Sequence, residues 1–175
     1  AAPLFFGPAL SIPVAQAAGT FVVTTADDTA GSTCGATCSL RQAINAANAA
    51  NGGTIQFDIP PSSPAFQTNG LINAWRITLS AANGALPALR GNVIIDGTTQ
   101  EANWPLNANP LGPEIIIDGV NLANLSGLRL NGDANIVQSV AVVNFNSTGS
   151  SFGAGVGIEV ITGANNQIRG SFIGV

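Results

Sequence analysis

The sequence predicts an all-β protein wound as a β-solenoid, with one short helix near its N-terminus. Three observations predict it. Short apolar and β-branched runs alternate with polar residues at a period of two along most of the chain. The turns between them are built from Gly, Asn, Ser and Pro, with 21 glycines and 10 prolines in 175 residues. Segments also recur. V-I-I-D-G at 93–97 returns as I-I-I-D-G at 115–119, an offset of 22, and G-D-A-N-I-V-Q-S at 132–139 returns as G-A-N-N-Q-I-R-G at 163–170, an offset of 31. G-L-R-L at 127–130 matches G-I-E-V at 157–160 at offset 30, so one residue is inserted at a corner. Imperfect repeats of this length, made of strands and turns, imply stacked coils. Inward Ile, Val and Leu then form columns, and Asn135 and Asn166 fall at equivalent corners where their side chains can bond along the stack. A β-sandwich with accidental similarity is the competing architecture.

Composition excludes several classes of function. Charged residues are 8% of the chain against about 25% in an average domain, which is unlike a charged disordered tail or a coiled coil. All five cations are Arg and the net charge is −4, so the basic footprint of a nucleic-acid binder is missing. There is no His, which removes a Ser-His-Asp triad and a His-ligated zinc or haem site. No cofactor and no metal site is expected. Cys34 and Cys38 are too few to close a zinc site and miss the CxxC redox spacing by one residue. A local disulfide in an exported protein is the favoured reading, over a pair of free thiols.

Taken in order, residues 1–17 are apolar and end in Ala15-Gln16-Ala17, an A-x-A type site, without a basic n-region. Pro3, Pro8 and Pro13 prevent a membrane-spanning helix. The stretch reads as an extended arm that needs a partner surface, on its own domain or on a neighbouring subunit, or as the remnant of an export signal. F-V-V-T-T at 21–25 reads as a strand. Ser39 to Gln42 matches a capping box, and Leu40, Ala43, Ile44 and Ala47 form one apolar stripe, so a helix is predicted over 40–50, ending at Asn51-Gly52-Gly53. Strands follow at 54–59, 75–80, 93–95, 114–117, 127–130, 135–143, 157–161 and 167–173. Three parts result: an arm or signal remnant at 1–20, a strand, loop and capping helix at 21–53, and coils at 54–175.

Some of these segments resemble a known group. T-C-S-L-R-Q-A-I-N-A-A-N at 37–48 is similar to the CSLREA-type N-terminal segment of exported bacterial β-helix surface proteins, with Gln42 in place of Glu. V-I-I-D-G-T-T-Q at 93–100 and N-N-Q-I-R-G-S-F-I-G at 165–174 resemble further elements of the same proteins, so the resemblance spans residues 21 to 175. It implies a right-handed parallel β-helix with the 40–50 helix covering the first coil, and export to the cell surface or medium. It carries over no catalytic residue. Relatives continue from the I-G pair into further coils, whereas this sequence stops there without a cap, and an uncapped coil exposes unpaired backbone and apolar side chains.

The functional expectation is therefore a non-enzymatic structural surface protein. It would assemble with itself or with other surface proteins, head to tail, through Leu4, Phe5 and Phe6 of the arm and Phe172, Ile173 and Val175 of the open coil. A carbohydrate-binding or carbohydrate-active domain, with polysaccharide as partner, is the alternative, as is an adhesin fragment of a longer secreted protein. For catalysis, Asp96 and Asp118 come from equivalent repeat positions, and stacking could place them within glycosidase distance. Asp-Gly turns account for both more simply. Asp27 and Asp28 read as a solvated loop, the arginines as surface or locally paired groups, and Trp75 and Trp104 as core packing.

Overall fold

The structure is a computed structural model and describes residues 19–68, 73–104, 109–148 and 155–174. Leu4, Phe5, Phe6 and Val175 lie outside the described residues. The chain runs β1 (Gly19–Val23), α1 (Leu40–Ala49), β2 (Gly53–Phe57), β3 (Phe66–Thr68), β4 (Asn73–Thr78), β5 (Val93–Asp96), α2 (Thr98–Asn103), β6 (Ile115–Asp118), β7 (Leu128–Asn131), β8 (Ile136–Gln138), β9 (Val140–Val143), β10 (Ile158–Thr162), β11 (Gln167–Arg169) and β12 (Phe172–Ile173). One five-stranded sheet has the order β1-β2-β5-β8-β11, a second β3-β4-β6-β9-β12, and β7 pairs with β10. Every pair is parallel except β3–β4.

The predicted right-handed parallel β-helix is corrected. The strands form separate flat sheets, one of them mixed by the antiparallel β3–β4 pair, and no sheet closes on itself, so the fold is not plainly a β-helix. The two repeats explain the difference. The 22-residue copies are not neighbours: β5 pairs with β2 and β8, while β6 pairs with β4 and β9 in the other large sheet. Their likeness reflects a shared local need, a buried run followed by an Asp-Gly turn, and not adjacent layers. The 31-residue repeat is a true pairing register, with Gln167 opposite Ile136 and Ile168 opposite Val137. Its inserted residue lies inside β10, where the register shifts between Val160 and Thr162.

Parallel register puts like on like and builds the core. Phe21, Ile55, Ile95, Val137 and Ile168 form one row across the first sheet. Ile77, Ile117, Val142 and Ile173 form another across the second. Most of these side chains are fully buried, as is Trp75, which meets Phe66 at 4.7 Å and donates its indole N–H to Pro60 O at 3.1 Å. The single predicted strand over 135–143 is broken into β8 and β9 at Ser139, held at φ +53°, and Gly170 takes the matching place at φ +57° between β11 and β12.

Helix α1 forms as its capping box predicts. Ser39 Oγ accepts the Gln42 N–H and Gln42 Oε1 accepts the Ser39 N–H. Leu40, Ala43, Ile44 and Ala47 are buried against β1 and β2, which seals that end of the core. Cys34 and Cys38 are disulfide-bonded, with Cα atoms 4.8 Å apart, and the Cys38 carbonyl accepts the Thr24 N–H beside β1. Helix α2 has no apolar stripe and escapes the periodicity reading. Its polar side chains instead stand in for a missing strand. Thr99 Oγ1 accepts the Phe57 N–H at 2.8 Å, Asn103 Nδ2 donates to Phe57 O at 2.9 Å, and Gln100 exchanges two hydrogen bonds with the Ile59 backbone. Gly97 before it is fixed by space, since a Cβ there would sit 1.9 Å from Ser139 O.

Candidate functional site

Two features at the β10–β11–β12 end are the candidates: an open strand edge and a groove beside it. Among the described residues β10, β11 and β12 each pair on one side only. The apolar rows that are sealed elsewhere surface here. Val160 is 54% exposed, Phe172 46%, and Ile168 and Ile173 42% each, with Val156 and Ile161 beside them; among the described residues the other exposed large apolar side chains are Leu111, Val120 and Leu125. A row of free strand amides next to such side chains invites another strand. Phe172 and Ile173, expected at an assembly surface, are thus placed on this edge.

An asparagine ladder ends at the same place. Asn135, fully buried, accepts the Gly91 and Val93 N–H groups on Oδ1 at 3.2 and 3.3 Å. Its Nδ2 donates to Gly132 O and to Asn166 Oδ1, both at 3.0 Å, and its own N–H also reaches Asn166 Oδ1 at 2.9 Å. Asn166 therefore repeats the acceptor role one layer further on, while its Nδ2 is out of contact with solvent and has no partner among the described residues. The offset of 31 between these two asparagines was the sequence signal for the contact.

The groove lies on the outer face of β6 and β9. Asp118 takes an ion pair from Arg76 Nη1 at 2.7 Å, the Asn144 side-chain amide at 2.8 Å and the Val120 N–H at 3.0 Å. Burial pushes its carboxyl upward, but the hydrogen bonds from Asn144, Arg76 and Val120 and the Arg76 charge outweigh that and hold it below the usual range. A cavity of about 370 Å³ opens beside it, lined by Arg76, Asn144, Leu111, Ile116 and Phe172 among others. A smaller one of about 160 Å³ lies across Gly112 and Phe172, lined by Glu101 and Glu114. Glu114 is only 4% exposed; its Oε1 accepts the Asn109 N–H at 2.8 Å and its Oε2 has no partner among the described residues. Burial pushes this carboxyl up to about 7, against the Asn109 bond and with the nearby Glu101 charge.

Asp96 and Asp118 do not form a hydrolytic pair. Asp96 and Asp118 lie in different sheets, so the expected stacking of the two is corrected. Asp96 accepts the Thr98 N–H and hydroxyl, the local turn expected of an Asp-Gly corner. Glu114 and Asp118 are four residues apart along an extended segment, which sets their Cα atoms about 13 Å apart. Among the described residues no cluster of three or more Cys, Asp or Glu is placed to hold a metal ion, and no helix is long and apolar enough to cross a membrane.

Asp28 is not the solvated residue the sequence suggested. It is buried and paired with Arg41 at 2.7 Å, and it accepts the Ser80 N–H. Arg41 also donates to the Gly84 and Ala85 carbonyls. Arg129 donates to Leu86 O and Arg169 to the Gln138 side chain. Glu114 and the Arg41–Asp28 pair had no sequence signal: no local motif marks either, and Arg41 also depends on Gly84 and Ala85, more than 40 residues away.

Compared with known protein families, with curated proteins and with solved structures, the chain matches none.

Proposed function

We propose that this is a non-enzymatic structural protein of the cell surface or extracellular medium, which assembles by adding a strand of a neighbouring molecule to its open edge. The observation that carries this reading is the edge of β10, β11 and β12, where unpaired strand backbone and the exposed Val160, Ile168, Phe172 and Ile173 coincide. Strand addition supplies main-chain hydrogen bonds for affinity and apolar burial for specificity. The apolar arm with Leu4, Phe5 and Phe6 is the complementary half, giving a head-to-tail joint. The Cys34–Cys38 disulfide is in keeping with an oxidising compartment such as the exterior. Sedimentation velocity over a concentration series tests the reading. The chain should gain mass with concentration, and deletion of residues 1–17 should abolish the gain. Assembly unchanged by that deletion overturns it.

A carbohydrate-binding role is the second reading, and the groove beside Phe172 favours it. An aromatic wall, an apolar floor at Ile116 and polar groups at Arg76 and Asn144 suit a sugar ring with one apolar face. A polysaccharide panel measured by calorimetry, with Phe172→Ala and Asp118→Asn as variants, decides it. Identical inertness of all three proteins removes this reading.

A further inference from the structure

We infer that the cavity between the end of α1 and β7 binds a sugar acid, with the guanidinium groups of Arg90 and Arg129 on its carboxylate and neighbouring amide and hydroxyl groups on its ring. The site shares no lining residue with the groove beside Phe172 and takes in none of β10, β11 or β12, so it goes beyond both readings above.

The arginines divide into two groups. All five cations of the chain are Arg. Three are committed: Arg41 to Asp28, Arg76 to Asp118, and Arg169 to the side chains of Gln138 and Gln167. The other two meet at one cavity of about 570 Å³, and no carboxylate lines it. Arg90 is exposed and its guanidinium bonds nothing among the described residues. Arg129 is half-buried; it spends Nη2 on Leu86 O at 3.0 Å and leaves Nη1 unbonded. Glu159 stands opposite Arg129 in the β7–β10 register and Asp133 follows two residues after Asn131, yet neither forms an ion pair with these arginines. Two like charges facing one cavity repel, and an oxyanion placed between them answers both.

The fold fixes this arrangement before any ligand arrives. The Leu89 N–H donates to Arg129 O at 2.8 Å and its carbonyl accepts the Asn131 N–H at 2.7 Å. Leu89, Leu128 and Leu130 are fully buried, so alternation along the two segments turns Arg90, Arg129 and Asn131 outward on one face. The last turn of α1 is tied to the same segment: Asn48 Nδ2 donates to Ala88 O at 2.8 Å, and Asn48 Oδ1 accepts the Arg90 N–H at 2.9 Å. A site held in this way loses little freedom on binding.

The rest of the wall sets the ligand class. Ser32, Asn45 and Asn131 line the cavity, and Ser32 Oγ, Asn45 Oδ1 and Asn131 Nδ2 form no hydrogen bond among the described residues. They offer donors and acceptors for ring hydroxyls. No aromatic side chain lines the cavity, which leaves a nucleobase without a stacking surface. Paired guanidinium groups for a carboxylate beside mixed polar groups for hydroxyls match a sugar acid, free or as a unit of an acidic polysaccharide.

Nuclear magnetic resonance titration of the full chain at neutral pH tests this, with D-galacturonate, a short oligogalacturonate, glucose and inorganic phosphate as probes. Galacturonate, alone or in the oligomer, should bind and shift the Arg90 and Arg129 Nε resonances. Glucose should leave them in place. Arg90→Gln alters an exposed, unbonded side chain, so it should fold as the wild type does and lower the association constant by on the order of tenfold. Arg129→Gln should act in the same direction; if it fails to fold, Arg90→Gln decides. An oligomer that binds more tightly than the monomer identifies a polysaccharide as the source, and equal affinity per sugar identifies the free acid; both uphold the site. If neither galacturonate nor its oligomer binds, if Arg90→Gln binds like the wild type, or if the shifts fall on Arg76 instead, the site is overturned. If phosphate binds as tightly as galacturonate, or glucose does, the sugar-acid assignment falls.

Discussion

Glu114 shows how one residue ties the fold to pH. Its carboxyl is buried, with one oxygen satisfied by Asn109 and the other by nothing, and it titrates at about 7. The folded state therefore holds this proton more tightly than the unfolded chain does. Its contribution to stability is complete below the ordinary glutamate range, near pH 4.5, and is lost as pH rises to about 7. Urea denaturation from pH 4.5 to 8 should show stability falling by on the order of 2 kcal/mol from this group. Glu114→Gln should remove that slope and be the more stable protein at pH 8; an unchanged slope would assign the pH dependence elsewhere. Arg41 and Asp28 make the opposite case. Both side chains are buried, and removing one leaves the other without its charge partner, so Arg41→Ala should cost about 3–5 kcal/mol by denaturant melts. Neither feature was legible in the sequence. A capping box or an Asp-Gly turn acts over a few residues and can be read directly, whereas Arg41 meets Gly84 and Ala85 across more than 40 residues.

At the level of elements, what was readable follows the same division between near and far. Helix α1 is legible because both its cap and its apolar stripe lie within one segment. The strands at 54–59, 75–80 and 93–95 are legible from alternation and match β2, β4 and β5 apart from their ends. Helix α2 is not, because Thr99, Gln100 and Asn103 are chosen for hydrogen bonds to Phe57 and Ile59, partners more than 40 residues earlier in the chain. Repeats gave register correctly at 31 residues and misled at 22, since identical local needs arise in different sheets. Two measurements probe elements directly. Ser39→Ala removes the cap of α1 and should cost about 1 kcal/mol. Reducing the Cys34–Cys38 bond frees a loop of only a few residues, so the loop-entropy loss is about 2 kcal/mol and the domain should stay folded. A thermal scan with and without reductant checks this; unfolding on reduction would mean that the loop carries the β1 end of the core.

For the whole molecule, the unequal ends decide what kind of assembly is open to it. At one end α1 buries Leu40, Ala43, Ile44 and Ala47, and the Cys38 carbonyl accepts the Thr24 N–H just past β1, which itself pairs on one side only. The other presents Val160, Ile168, Phe172 and Ile173 on strands paired from one side. A joint between unlike surfaces is heterologous, and such joints continue into filaments unless the rotation between neighbours closes a ring. The strands at the open edge are short, β10 carries a bulge and β11 carries Arg169, all features that discourage indiscriminate pairing. Growth should therefore be selective and should require the N-terminal segment of another copy. The expected outcome by light scattering and electron microscopy is a mass that climbs with concentration, without a plateau at the dimer, for the full chain. Adding an excess of protein lacking residues 1–17 should stop growth, because a molecule that inserts no arm can accept one and offers nothing onward. A plateau at twice the monomer mass, untouched by that truncated protein, would show that like ends meet and that the arm plays no part in the joint.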